Sequence, residues 1–150
     1  MRFQIETWDD LWRDGQDIFP VHYRELSLHQ DRVPLGMDDE LYRSMEARGN
    51  LHVLTAREDG RLVGYYLAIV IKNHPHNKDA GKVANCDMFY MLPEFRKGGA
   101  GAKLILMAEK SLREKGVTKV SMSVKLHQNH GRLLEALGWE ATDLVFQKLL

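Results

Sequence analysis

Leu92-Pro93-Glu94-Phe95-Arg96-Lys97-Gly98-Gly99-Ala100-Gly101-Ala102 is the stretch on which the fold turns. Before it, Val83 to Leu92 is nearly continuous apolar sequence closed by Pro93, the pattern of a strand covered on both faces, interrupted by Asn85 and Asp87. After it, from Gly101 to Lys115, Leu104, Ile105, Ala108 and Leu112 recur at helical spacing, with Lys103, Lys110 and Arg113 on other faces and Gly116 as the stop. Val117 to Val124 then reads as a strand. Strand, glycine-rich turn, helix and strand in that order predict a right-handed crossover, hence a parallel pair at the centre of a sheet.

The turn itself predicts an anion site. Its glycines let the backbone approach a ligand, and the first N–H groups of the following helix lack internal partners. Arg96 and Lys97 add charge to the helix dipole, so main-chain donors suffice to hold a diphosphate without a metal. Gly98, Gly99 and Gly101 miss the spacing of the dinucleotide fingerprint, and no Lys-Ser/Thr follows as in the magnesium-binding phosphate loop. What remains is Arg96-x-x-Gly99-x-Gly101.

Outward from this unit, Thr7-Trp8-Asp9-Asp10 resembles a helix start, with apolar Trp8, Leu11 and Trp12 on one face. Pro20 interrupts that helix, His22 to His29 reads as a further turn or two, and Pro34-Leu35-Gly36 breaks the chain again. Asp38-Asp39-Glu40 opens a short helix that carries Leu41 and Met45 and stops at Gly49. Leu51 to Arg57 and Arg61 to Ile71 are two β-rich runs joined by Asp59-Gly60, a hairpin. Lys72 to Lys82 has turn chemistry and reads as a loop. Gly131 to Leu137 is a short helix ended by Gly138-Trp139, and Leu144 to Leu149 is expected as a last strand. Trp8, Trp12 and Met45 read as core.

Arg96-x-x-Gly99-x-Gly101, preceded by Pro93-Glu94-Phe95 and a hydrophobic strand, resembles the coenzyme A loop of the GNAT superfamily of N-acetyltransferases, and the order of elements along nearly the whole chain is similar to theirs. The resemblance implies an α/β (α+β) fold, a mixed, mostly antiparallel sheet with a central parallel strand-helix-strand unit and flanking helices. It implies acetyl-CoA as cofactor, no metal, and transfer of the acetyl group to a primary amine by direct attack in a ternary complex. The amides of Arg96, Lys97, Gly98, Gly99, Ala100, Gly101 and Ala102 would hold the pyrophosphate, with Lys97 and Lys103 assisting. The backbone of Phe89, Tyr90 and Met91 would pair with the pantetheine arm, and an N–H near Met91 or Leu92 would face the developing oxyanion.

An attacking amine must lose a proton, and Asp87 is the candidate base, expected on one strand face with Asn85, Phe89 and Met91. The family's usual acid is a tyrosine four residues before the Gly-aromatic pair; Leu134 stands there, leaving His127 and His130 as nearby substitutes. The acceptor pocket that the resemblance implies includes Tyr23 and the His74 to Asn77 loop, so that Tyr23, His74, His76 and Asn85 are candidate substrate contacts. His22, Glu25 and His29 permit a metal reading, but a solvated helix face is favoured and no metal is expected. The acids at 38–40 have a helix-dipole explanation.

Composition narrows the alternatives. The 150 residues suit one domain, 1–150, and 44% hydrophobic with 28% charged residues suits a folded core. Lys plus Arg equals Asp plus Glu at 21 each, which argues against nucleic acid or an anionic membrane as partner. A lone Cys86 and the lack of an apolar span suggest a soluble, cytoplasmic protein. The overall pattern resembles small GNAT-like proteins of bacteria and tailed bacteriophages. A noncatalytic acyl-CoA-binding or protein-interaction module of the same fold is the rival function, supported by Leu134. The acceptor, a small-molecule or protein amine, and the oligomeric state, a homodimer included, stay open.

Overall fold

The chain enters as a short strand, β1 (Arg2–Ile5), and turns at Thr7, whose hydroxyl accepts the Asp10 N–H and caps α1 (Trp8–Gly15). The computed structural model describes residues 1–76 and 78–150. Two more helices follow, α2 (Phe19–Leu26) with Pro20 in its first turn and α3 (Asp39–Ala47). Asp38 caps α3 through the Leu41 N–H, and Gly49 leaves it with φ of 69°. The acids at this helix start therefore serve the helix: Asp39 also accepts the Trp8 indole N–H at 2.7 Å, while Glu46 accepts the Trp8 backbone N–H at 2.7 Å. These two bonds fasten α1 to α3.

Asp59 and Gly60 take the positive φ that a tight hairpin needs, 49° and 83°, and join β2 (Leu51–Glu58) to β3 (Arg61–Ile71). β4 (Lys82–Met91) pairs antiparallel with β3, a short 3-10 turn at Pro93–Phe95 leads to α4 (Ala100–Glu114), and β5 (Val117–Met122) returns parallel to β4. The sheet runs β1-β2-β3-β4-β5, with the final short helix α5 (Gly131–Ala136) after it. It is mixed and mostly antiparallel with one parallel strand-helix-strand unit, as expected.

Each sheet face carries a different layer. Leu104, Ala108 and Leu112 of α4 are buried on the face of His52, Leu54 and Tyr66, and Ile105 is buried beside them. Trp8, Phe19 and Tyr65 pack on the other, beneath α1 to α3. No helix among the described residues is long and apolar enough to cross a membrane.

The strand expected at Leu144 to Leu149 does not form. The Trp139 indole donates to Glu109 on α4 at 2.7 Å, and Gln147, Lys148 and Leu149 then line a concavity of about 410 Å3 with Tyr23 and Val33 near the end of α2. The tail pairs with no strand, and Leu144, Val145 and Phe146 stay 65%, 66% and 85% exposed. β5 is consequently an edge strand, and the parallel pair lies at the sheet's edge rather than its centre.

Candidate active site

β4 and β5 part company midway. Their register runs from Lys82 opposite Val117 to Cys86 opposite Met122 and ends there, while β4 continues to Met91. On its other side β4 stays paired with β3 up to Gly64 opposite Met91, and the Leu92 N–H donates to the Val63 carbonyl at 2.9 Å. Backbone groups alternate between the two edges of an antiparallel strand. Since Leu92 points to β3, Met91 and Phe89 point to the side that β5 has vacated. Leu92 is thus excluded as an oxyanion donor, and Met91 retains an N–H on the open edge. Tyr90, between them, directs its backbone to β3.

The glycine loop begins where this open edge stops. Gly98 and Gly99 have φ of 80° and 81°, a conformation that disfavours any residue with a Cβ, and a Cβ on either would meet no heavy atom within 4 Å. Their backbone is therefore open to approach. Among the described residues the N–H groups of Lys97 to Ala102 find no acceptor in the chain, whereas the Lys103 N–H closes the first helical bond to Gly99 at 3.0 Å. Gly101 lies against the Phe89 ring, where an added Cβ would stand 3.5 Å from it. Open donors at a helix start, leading to a free strand edge, fit a diphosphate followed by an extended amide-bearing arm.

Three expectations about this loop change. The Arg96 N–H donates to the Pro93 carbonyl at 3.3 Å, so the free donors start at Lys97. The Arg96 guanidinium is engaged by protein: its Nε donates to the Met91 carbonyl at 2.8 Å, and its terminal nitrogens meet both Glu25 oxygens at 2.6 and 2.7 Å. Lys103 does not reach back to the loop, because its ammonium sits 5.0 Å over the Phe3 ring.

Asp87 occupies a β-bulge. Leu67 pairs with Met88 and Ala68 with Cys86, which leaves Asp87 as the extra residue. The bulge flips the alternation, so Asp87 does not share a face with Phe89 and Met91 as the spacing predicted. Phe89 faces α4, while the Asp87 carboxylate accepts the Tyr42 hydroxyl of α3 at 2.6 Å on the opposite side. Burial and the neighbouring Asp87 charge push the Tyr42 hydroxyl's pKa up, so it stays a donor. Asn85, opposite Ile69, lies on the Asp87 side and accepts the Ser121 hydroxyl across the last paired rungs. Tyr42 carried no sequence signal of its role.

Of the two histidines, His130 is brought to the split: its ring lies 5.5 Å from Phe89 and its Nε2 3.5 Å from Met122 Sδ. Burial lowers its pKa, which keeps it neutral. His127 instead approaches the Glu25 carbonyl at 3.3 Å, at the end of α2. Tyr23 gives its hydroxyl to the Val33 carbonyl and lines the concavity under the tail. His74 and His76 pack on each other at the Lys82 end of β4, the opposite end from the glycine loop; Asn77 lies outside the described residues.

His22 is not on a solvated face. Its ring stacks on Tyr90 at 4.6 Å, its Nδ1 is 2.6 Å from the Tyr65 hydroxyl, and burial lowers its pKa to about 4. α2 ends at Leu26, so His29 leaves the face that would have joined the three residues, and no group of three or more candidate ligands is placed to hold a metal among the described residues.

A sheet split beside a glycine loop of free N–H donors defines a coenzyme A-type acyltransferase scaffold. A model of the acetyltransferase (GNAT) family matches residues 7–139, and the chain belongs to that family. Similar solved structures include a ribosomal-protein-alanine N-acetyltransferase from Brucella melitensis biovar Abortus 2308, 18% identical, TM-score 0.69, with 100% of this chain and 99% of that chain covered. Glucosamine-6-phosphate N-acetyltransferase from Arabidopsis thaliana is 16% identical, TM-score 0.70, with 99% of each chain covered. A predicted acetyltransferase with acetyl-CoA from Clostridium acetobutylicum is 16% identical, TM-score 0.68, covering 99% of this chain and 95% of that one. At these identities the likeness is one of fold. No curated protein matches the chain in sequence.

Proposed function

We propose that this chain is an acetyl-CoA-dependent N-acetyltransferase that moves the acetyl group to a primary amine by direct attack in a ternary complex. The observation that carries the reading is the run of N–H groups from Lys97 to Ala102, without acceptors among the described residues, leading to the β4 edge left open at Phe89 and at the Met91 N–H. Two of the similar structures are N-acetyltransferases by name, which supports an amine as acceptor. When bound, the coenzyme supplies an acyl thioester already activated for attack.

The chain's own groups have separable tasks. Lys97 to Ala102 would hold the diphosphate through main-chain donors, and the Phe89 backbone would align the arm in the place that β5 has left. The Met91 N–H, whose own carbonyl is held by Arg96, would be the donor available to a developing oxyanion. Asp87 takes a proton from the amine on the α1–α3 side. Tyr42 aims the Asp87 carboxylate. Neutral His130 is a poor donor, so the thiolate, itself a good leaving group, would take its proton from water.

Calorimetric titration with coenzyme A, followed by an amine and peptide panel scored by free thiol, tests the assignment. Asp87→Asn should lower the acceptor-dependent rate roughly 100-fold or more, with coenzyme affinity unchanged. Normal turnover by that variant would remove Asp87 as the base. Leu134, buried where the family's tyrosine usually stands, favours a second reading, a noncatalytic acyl-CoA-binding module. Coenzyme binding without any acceptor-dependent thiol release across the panel would select it.

A further inference from the structure

Arg96 opens the glycine-loop motif, and its guanidinium grips protein on three sides. Its Nε holds the Met91 carbonyl at 2.8 Å. Its fork closes on Glu25 of α2 at 2.6 and 2.7 Å, and its plane lies 5.2 Å from the Tyr90 ring centroid. Glu25 also accepts the Tyr90 hydroxyl at 2.7 Å, and the Tyr90 ring stacks on His22, one turn earlier in α2, at 4.6 Å. The Glu25–Arg96 pair therefore ties together α2, two successive residues of β4 and the start of the loop. The pair is partly shielded, with side-chain exposures of 39% for Arg96 and 20% for Glu25. A bidentate, charge-assisted fork in that setting is stiffer than an ordinary surface ion pair.

We infer that Glu25 is a positioning residue that acts through Arg96, making the motif's arginine a mechanical link between the coenzyme loop and helix α2 rather than a phosphate ligand. The inference rests on the coenzyme assignment above. Ordering the N–H groups of Lys97 to Ala102 around a diphosphate fixes the loop, the loop fixes Arg96, and Arg96 fixes the last turn of α2. That turn carries Tyr23, on the cavity between α2 and the tail. By linkage, a ligand whose affinity the coenzyme raises through α2 raises coenzyme affinity by the same factor. In the other direction, loss of the Glu25 charge frees Arg96 and slackens the Met91 carbonyl at the end of the free strand edge.

Hydrogen exchange on the full chain, with and without saturating coenzyme A, separates the link from a merely structural role. In wild type the coenzyme should slow exchange at 97–103 and also at Phe19–Leu26. In Glu25→Gln the first protection should persist and the second vanish, with affinity roughly tenfold weaker, equivalent to about 1.4 kcal/mol. Equal protection of α2 in wild type and Glu25→Gln would overturn the link, as would coenzyme binding that leaves wild-type α2 unchanged. Absence of protection at 97–103 in wild type would instead defeat the coenzyme assignment itself. Should Glu25→Gln fail to fold, Arg96→Gln breaks the same fork from the loop side and is held to the same two outcomes.

Discussion

Gly99 shows how one residue's backbone sets a binding surface. With φ at 81° and no protein atom near a hypothetical Cβ, the requirement for glycine comes from conformation and open approach, not from packing. Gly99→Val should weaken coenzyme A binding by roughly tenfold or more, since backbone strain there costs about 1–3 kcal/mol. Titration calorimetry reads this directly, and unchanged affinity would speak against the loop. Tyr42 illustrates the opposite case, a side chain whose task is invisible locally. Its hydroxyl spans 45 residues of sequence to meet Asp87 at 2.6 Å. Tyr42→Phe should lower acceptor-dependent turnover roughly tenfold, less than loss of Asp87, with coenzyme affinity unaltered.

At the level of elements, α4 does two jobs at once. Its apolar stripe at Leu104, Ala108 and Leu112 is buried against the sheet, while its first turn presents unpartnered N–H groups. The stripe holds the donors in place. Leu104→Ala, at a fully buried position, should cost about 2–5 kcal/mol in chemical denaturation and lower coenzyme affinity only through the unfolded fraction. β4 is shaped by its two neighbours unequally: β3 stays with it to Met91, β5 leaves after Cys86, and the bulge at Asp87 lies next to the parting. A bulge bends and twists its strand, which suits it to this place.

For the molecule as a whole, two histidines, buried His52 and half-buried His22, link stability to pH. His52 joins β2 to α4: its Nε2 is 2.7 Å from Ser111 Oγ and its Nδ1 is 3.0 Å from the Lys115 ammonium. An ammonium only donates, so Nδ1 must accept and Nε2 carries the proton. Burial, with the Lys115 charge second, lowers the His52 pKa to about 4, and burial brings His22 to the same value. Unfolded histidines titrate near 6.5. Between 6.5 and 4 the unfolded state binds more protons, so stability is fullest above 6.5 and falls as pH drops through this window. Urea midpoints at pH 7 and pH 5 should differ accordingly, with His52 contributing on the order of 1–2 kcal/mol. In His52→Gln the difference should shrink.

What the sequence determined by itself is what a few neighbouring residues encode. The Asp59-Gly60 hairpin, the Thr7 and Asp38 caps, the α4 stripe and the positive-φ glycines at 98 and 99 all follow from local backbone preference and periodicity. The tertiary structure alone decided the rest, because each remaining feature depends on a distant partner. The bulge at Asp87 exists only in register with β3, and Arg96 was diverted from phosphate by Glu25, 71 residues away. The apolar tail at 144–150 has strand-like composition, yet strand propensity yields a strand only where a partner edge is met, and the tail pairs with none.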